Sequence, residues 1–79
     1  MERRHIGRTR VFKGGKILNG NAFRLDCVVR NLSNDGACIE VASTASVPDE
    51  FELIFNSSRT VRRCLVRWRS MIRLGVAFT

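Results

Sequence analysis

Apolar residues recur at every second position through most of this chain. Phe23, Leu25, Cys27 and Val29 alternate with Arg24, Asp26, Val28 and Arg30. Ala37, Ile39 and Val41 alternate around Cys38 and Glu40, and Phe51, Leu53 and Phe55 around Glu52 and Ile54. Cys64, Val66 and Trp68 alternate with Arg63, Leu65, Arg67 and Arg69, and Leu74, Val76 and Phe78 close the chain. A period of two places one set of side chains on each face of an extended strand, so these are half-buried strands. No segment sustains a helical period. Turn-forming residues punctuate the pattern at Gly14-Gly15, Asn19-Gly20-Asn21 and Asn34-Asp35-Gly36, with Pro48 in a loop-like stretch over 45–50. The pattern predicts six strands, at roughly 10–18, 22–31, 36–42, 50–56, 60–69 and 72–78. Short antiparallel strands with one apolar face lose their exposed edges by closing, so the expected fold is all-β, a six-stranded antiparallel barrel. Asn19-Gly20 suits a tight hairpin turn in which both residues take positive φ. Gly14-Gly15 fits either a bulge in the first strand or a second hairpin.

Length limits what such a barrel can do. At 79 residues the chain makes one domain, read as a basic arm over 1–9 and a barrel over 10–79. A chain this small buries only about 60–65% of its extended surface and has little core to give up to an enclosed active site. A binding module is expected rather than an enzyme. The 44% hydrophobic content is normal for a globular domain. No apolar run reaches the ~20 residues of a membrane helix, and Met1 to Arg10 lacks the apolar stretch of a secretory signal. Cys27, Cys38 and Cys64 are odd in number and widely spaced, which fits neither a disulfide framework nor a CxxC metal site. The expected setting is the reducing cytoplasm.

The net charge of +7 is carried almost wholly by arginine, with Lys13 and Lys16 the only lysines. The planar guanidinium fork matches phosphate oxygens and the O6/N7 edge of guanine, so the charge points to a phosphate-bearing or nucleobase partner. Three segments are candidates to meet it. Arg3-Arg4-His5-Ile6-Gly7-Arg8 contains R-x-x-x-R ahead of the first strand, where a chain end can wrap an anion with charge-assisted hydrogen bonds. Asn31-Leu32-Ser33-Asn34-Asp35-Gly36 reads N-x-S-x-x-G; these are ordinary turn residues. At the end of a strand, however, Asn31 and Ser33 could present an amide and a hydroxyl to a base edge. Gly36 implies a positive φ or a close backbone approach. The third is the arginine row of the fifth strand, with Arg63, Arg67 and Arg69 opposite Cys64, Val66 and Trp68; Trp68 shares the apolar parity and is expected in the core or at its rim. His5, the lone histidine, has no partner at metal-ligand spacing, and Ser33 has no base to activate it.

Taken together, the first two segments resemble the PilZ domain, whose members carry R-x-x-x-R in an N-terminal loop and D/N-x-S-x-x-G between the second and third strands. Both occur here in that order, and Arg73-Leu74-Gly75-Val76-Ala77-Phe78 is similar to the family's usual ending. The resemblance implies a six-stranded barrel that binds the second messenger cyclic di-GMP as its ligand, with no cofactor or metal. It implies that Arg4 and Arg8 grip phosphates and guanine edges, and that Asn31 and Ser33 contact a guanine or its phosphate. It further implies that Gly36 keeps the turn tight and that Arg3 supports a stacked ligand pair. Asn31 stands where Asp is commoner, keeping an acceptor and gaining donors. The chain carries neither a C-terminal helix nor a fused output segment, so a downstream protein partner is expected to receive the signal.

Two other readings remain open on the residues. A small basic barrel of the cold-shock or OB type would bind nucleic acid. Such folds stack bases on exposed aromatics; the chain has no Tyr, and Phe23, Phe51, Phe55 and Phe78 share core parity. A ligand-free barrel would bind only a protein partner.

Overall fold

The computed structural model describes residues 9–79. Six strands follow one another: β1 (Thr9–Asn19), β2 (Phe23–Leu32), β3 (Gly36–Glu40), β4 (Glu50–Phe55), β5 (Val61–Arg69) and β6 (Arg73–Phe78). They close into an antiparallel barrel in the order β1-β2-β3-β6-β5-β4. All six expected strands are present, and the all-β barrel read from the alternation is the observed architecture. Among the described residues no helix is long and apolar enough to cross a membrane.

Inward positions of all six strands supply the core. Ile17, Val29, Ile39, Leu53 and Leu74 are fully buried, surrounded by Cys27, Ala37, Phe51, Phe55, Cys64 and Val76. Three turn details differ from expectation. The β1–β2 connection is the three-residue loop 20–22, and only Gly20 takes positive φ (+59°). Asn19 ends the strand instead, and its side-chain amide donates to the Glu50 carbonyl at 2.7 Å. Gly14-Gly15 forms neither a bulge nor a hairpin: β1 runs straight through it, pairing Gly15 with both Cys27 and Phe55. A Cβ on Gly15 would meet the Ile54 carbonyl oxygen at 2.8 Å, so the bare backbone there lets β4 approach and close the barrel.

The two ends of the barrel are built differently. At one end the long connection between β3 and β4 folds inward, burying Val41, Thr44 and Val47. Arg69 secures it, donating to the carbonyls of Thr44 (2.7 Å) and Val47 (3.0 Å) and pairing with Asp49. Sequence parity set Arg69 beside Arg63 and Arg67 on the solvent face. It pairs instead with the buried Leu74, because β5 slips register between Val66 and Trp68. The opposite end, where the β2–β3 and β4–β5 turns lie, has no such plug among the described residues.

Candidate functional site

The β2–β3 turn is held by Ser33. Its backbone N–H donates to the Gly36 carbonyl (2.9 Å), and its Oγ accepts from the N–H groups of Asp35 and Gly36, each at 3.2 Å. The turn is therefore fixed before any ligand arrives. Gly36 is required by close approach rather than by positive φ. A Cβ there would lie 2.1 Å from the Val76 carbonyl oxygen, so the approach is to β6 of the same barrel.

Asn31 is aimed by an irregularity that alternation hides. Cys27 and Val29 face the core, and a regular strand would turn Asn31 inward after them. The β2–β3 register shifts between Val29 and Asn31, leaving Arg30 as an extra residue. A bulge of this kind reverses the parity of the residues beyond it. Asn31 thereby pairs with Cys38 on β3 and with Arg10 on β1, both on the outer face.

Strand β5 repeats the device. Its register with β6 shifts between Val66 and Trp68, leaving Arg67 extra, and Trp68 comes to pair with Gly75 on the outer face. This corrects the expected core or rim position of Trp68. The indole rests against Gly75, where an added Cβ would meet Nε1 at 2.0 Å, and the side chain is 51% exposed. Gly75 pairs in turn with Cys38. A single cross-strand row therefore runs Arg10, Asn31, Cys38, Gly75, Trp68 over five strands. At 4.7–4.9 Å per strand, about 14 Å separates the Asn31 and Trp68 backbones, with two small residues between.

The surroundings of the row are basic. Phe12 is 76% exposed on β1, with the Arg30 guanidinium 5.5 Å from its ring centroid. Glu40 is paired with both Arg30 (3.4 Å) and Arg73 (3.3 Å), which removes its negative charge as an obstacle to an anion. Arg3, Arg4 and Arg8 lie outside the described residues; the chain enters β1 at Thr9, one residue before Arg10.

Lys13 and Arg62 face the open end of the barrel and were missed by motif reading. Lys13 shares the inward parity of Gly15 and Ile17, and Arg62 that of Cys64. They line a cavity of about 550 Å³ together with Ser33 and Asn34 of the turn. The available signal was a cation at an inward position of an otherwise apolar alternation.

Two of the buried thiols, Cys27 and Cys64, are chemically quiet. Burial pushes Cys27 up to about 12, helped by the charge of Asp26, and burial does the same to Cys64. Neither is a nucleophile at neutral pH, since the thiolate is the reactive form. Among the described residues no group of three His, Cys, Asp or Glu could hold a metal ion.

The site is thus a preset turn, an outward amide, an exposed indole on a row of small residues, and a basic margin. Comparison with known proteins adds a family: the profile of the PilZ domain matches residues 2–79. A search of curated proteins returned no match.

Proposed function

The chain belongs to the PilZ domain family, and we propose that it is a cytoplasmic receptor for cyclic di-GMP that acts as an adaptor rather than as an enzyme. The observation that carries this reading is the family match itself, which takes in both the arginine segment and the N-x-S-x-x-G turn. The geometry of the row supports it. A purine needs a hydrogen-bonding edge partner and a flat face to lie against. Asn31 offers both a donor and an acceptor at one end of the row, and Trp68 offers an aromatic face at the other. Arg4 and Arg8 bind the phosphates and the guanine O6/N7 edges, and Arg3 packs on a second ligand molecule. Ser33 acts by holding the turn. Gly36 acts by letting β3 close on β6.

Signalling follows from where the arm joins the barrel, at the start of β1. It enters the barrel one residue from Arg10, at the head of the row. Fixing it costs roughly 1–2 kcal/mol per residue, which several charge-assisted contacts to a doubly charged ligand offset. The arm drawn across the row creates a surface that the free protein lacks, and a downstream protein reads that surface.

Calorimetric titration with cyclic di-GMP tests the reading, with Trp68 emission as an internal reporter because it is the single tryptophan. Saturable heat and a change in emission are expected, and Arg8→Ala and Asn31→Ala should each weaken binding at least roughly tenfold. Absence of heat at ~100 μM ligand, equivalent to binding weaker than about −5.5 kcal/mol, would leave a ligand-free interaction barrel. Exposed Phe12 and Trp68 among arginines also suit a single-stranded nucleic acid, whose bases stack on such rings. Mobility shifts with single-stranded RNA and DNA across a salt series test that second reading; retardation that vanishes steeply with salt is charge attraction alone.

A further inference from the structure

Lys13 and Arg62 stand where an apolar residue would close the barrel. The far end is closed in that way, by Val41 and Val47 of the loop that Arg69 secures. At the near end two cations replace the plug, and a cavity of about 550 Å³ opens between them, within the range of small-molecule sites. Its floor is apolar, and Ser57, Ser58 and Thr60 line the rim with hydroxyls. Among the described residues no acidic side chain lines it.

Arg62 is held ready. Its guanidinium stacks 4.1 Å from the Phe78 ring centroid, and Nη2 donates to the Asn34 carbonyl at 3.3 Å. Those contacts fix the plane of the fork, and among the described residues no acidic side chain pairs with its other N–H groups. Lys13 forms no ion pair with the acids of the described residues. Ser58 Oγ donates to Thr60 Oγ1 at 2.9 Å, so the rim hydroxyls are ordered as a pair. Two cations without a carboxylate, beside ordered hydroxyls and an apolar floor, match a phosphate dianion attached to a small polyhydroxy group.

We propose that the open mouth of the barrel is a binding site for a small phosphomonoester, separate from the outer row. The phosphate lies between Lys13 and Arg62, and the organic part rests on the floor with its hydroxyls toward Ser57, Ser58 and Thr60. The inference does not depend on cyclic di-GMP. Its cations face the inside of the barrel end, where Ser33 and Asn34 of the β2–β3 turn also line the cavity, whereas Asn31 and Trp68 face outward.

The test is an amide-resolved NMR titration of the full chain at constant ionic strength, with inorganic phosphate and with ribose 5-phosphate as probes. Saturable shifts are expected at Lys13, Ser58, Thr60 and Arg62, larger in affinity for ribose 5-phosphate than for phosphate. Equal affinity for the two would overturn the phosphomonoester and assign the site to free phosphate. Lys13→Met and Arg62→Met should each weaken binding roughly tenfold, the loss of one charge-assisted contact. Arg24→Gln removes a charge from the outer wall and should leave the affinity unchanged. The proposal is overturned if no saturable shift occurs at the mouth, if Arg24→Gln weakens binding as much as Lys13→Met, or if the shifts gather at Asn31 and Cys38. Cyclic di-GMP titrated separately should move Asn31, Cys38 and the Trp68 indole. A chain that answers one titration and not the other therefore shows which of the two sites has failed.

Discussion

Substituting Gly75→Ala acts on one contact that the outer row cannot do without. The new Cβ would sit 2.0 Å from Trp68 Nε1 and 2.2 Å from Cε2, where ordinary contact needs about 3.4 Å. The indole must rise by roughly 1.4 Å or swing into solvent. Trp68 is 51% exposed, so about half of a ~200 Å² side chain rests on the barrel. Losing all of that ~100 Å² at 25 cal/mol per Å² costs about 2.5 kcal/mol, and partial sliding brings the expected loss to about 1–2 kcal/mol. For a domain of this size each kcal/mol lowers Tm by roughly 4–8 °C. Thermal unfolding followed by circular dichroism should therefore show a fall of about 5–15 °C. Emission from the single tryptophan should shift to the red in the folded variant, because the ring is lifted into water. Cyclic di-GMP affinity should fall with it, since the aromatic face at the end of the row has moved. Unchanged Tm with unchanged emission would refute the packing of Trp68 against Gly75, and with it the use of that indole by a purine.

Other substitutions separate packing from anchoring. Gly36→Ala brings a Cβ within 2.1 Å of a backbone carbonyl that cannot rotate away, so β3 must part from β6. A loss of about 2–3 kcal/mol is expected by urea unfolding, and an unchanged midpoint would sink the close-approach argument. Arg69→Met removes the donors that secure the β3–β4 connection to β5, costing about 2 kcal/mol. Hydrogen exchange should quicken at Thr44 and Val47 while the β1–β2 ladder stays protected; uniform quickening would contradict a local anchor. Cys27 and Cys64 keep their protons in the folded barrel until about pH 12, whereas the unfolded chain releases them near 9.0. Both folded values are raised, so stability is intact below pH ~9 and declines as pH rises from there toward 12. A Cys27→Ala/Cys64→Ala double variant should flatten that alkaline decline, and an equally steep decline in the variant would remove the thiols as its cause.

The barrel was legible in the sequence because alternation is a direct image of an inside and an outside. The site was legible only in part. Asn31, Ser33 and Gly36 stand out as a turn motif, but strict parity turns Asn31 toward the core and Trp68 with it. Of these two the sequence reading misplaced only Trp68, but both departures from parity have one cause. A bulge adds a residue without altering composition, and in this chain the extra residue is an arginine both times, Arg30 and Arg67, indistinguishable from its alternating neighbours. The role of Gly36 was likewise readable as a close approach, but not what it approaches. Val76 lies forty residues away and reaches Gly36 only through the β3–β6 pairing. Arg69 was misassigned for the same reason as Trp68, since it follows the same bulge.

Pairing sorts the positive charge into two groups. Asp26 takes Lys16, Glu40 takes Arg30 and Arg73, Asp49 takes Arg69, and Glu52 takes Arg63. These pairs are exposed or half-exposed, so each contributes little to stability. Their larger effect is on the field: they cancel charge along the middle and far end of the barrel wall. Of the cations that form no such pair among the described residues, Arg10, Lys13 and Arg62 stand at the open end, where the arm enters β1. An anion approaching from solvent is drawn toward that end, and falls under the same salt dependence as any steered ligand. Specific capture then requires what the field cannot supply, namely an outward amide and a flat aromatic face. The two bulges provide both, so the irregularities that defeat the sequence pattern are the features that turn a charged barrel end into a shaped site.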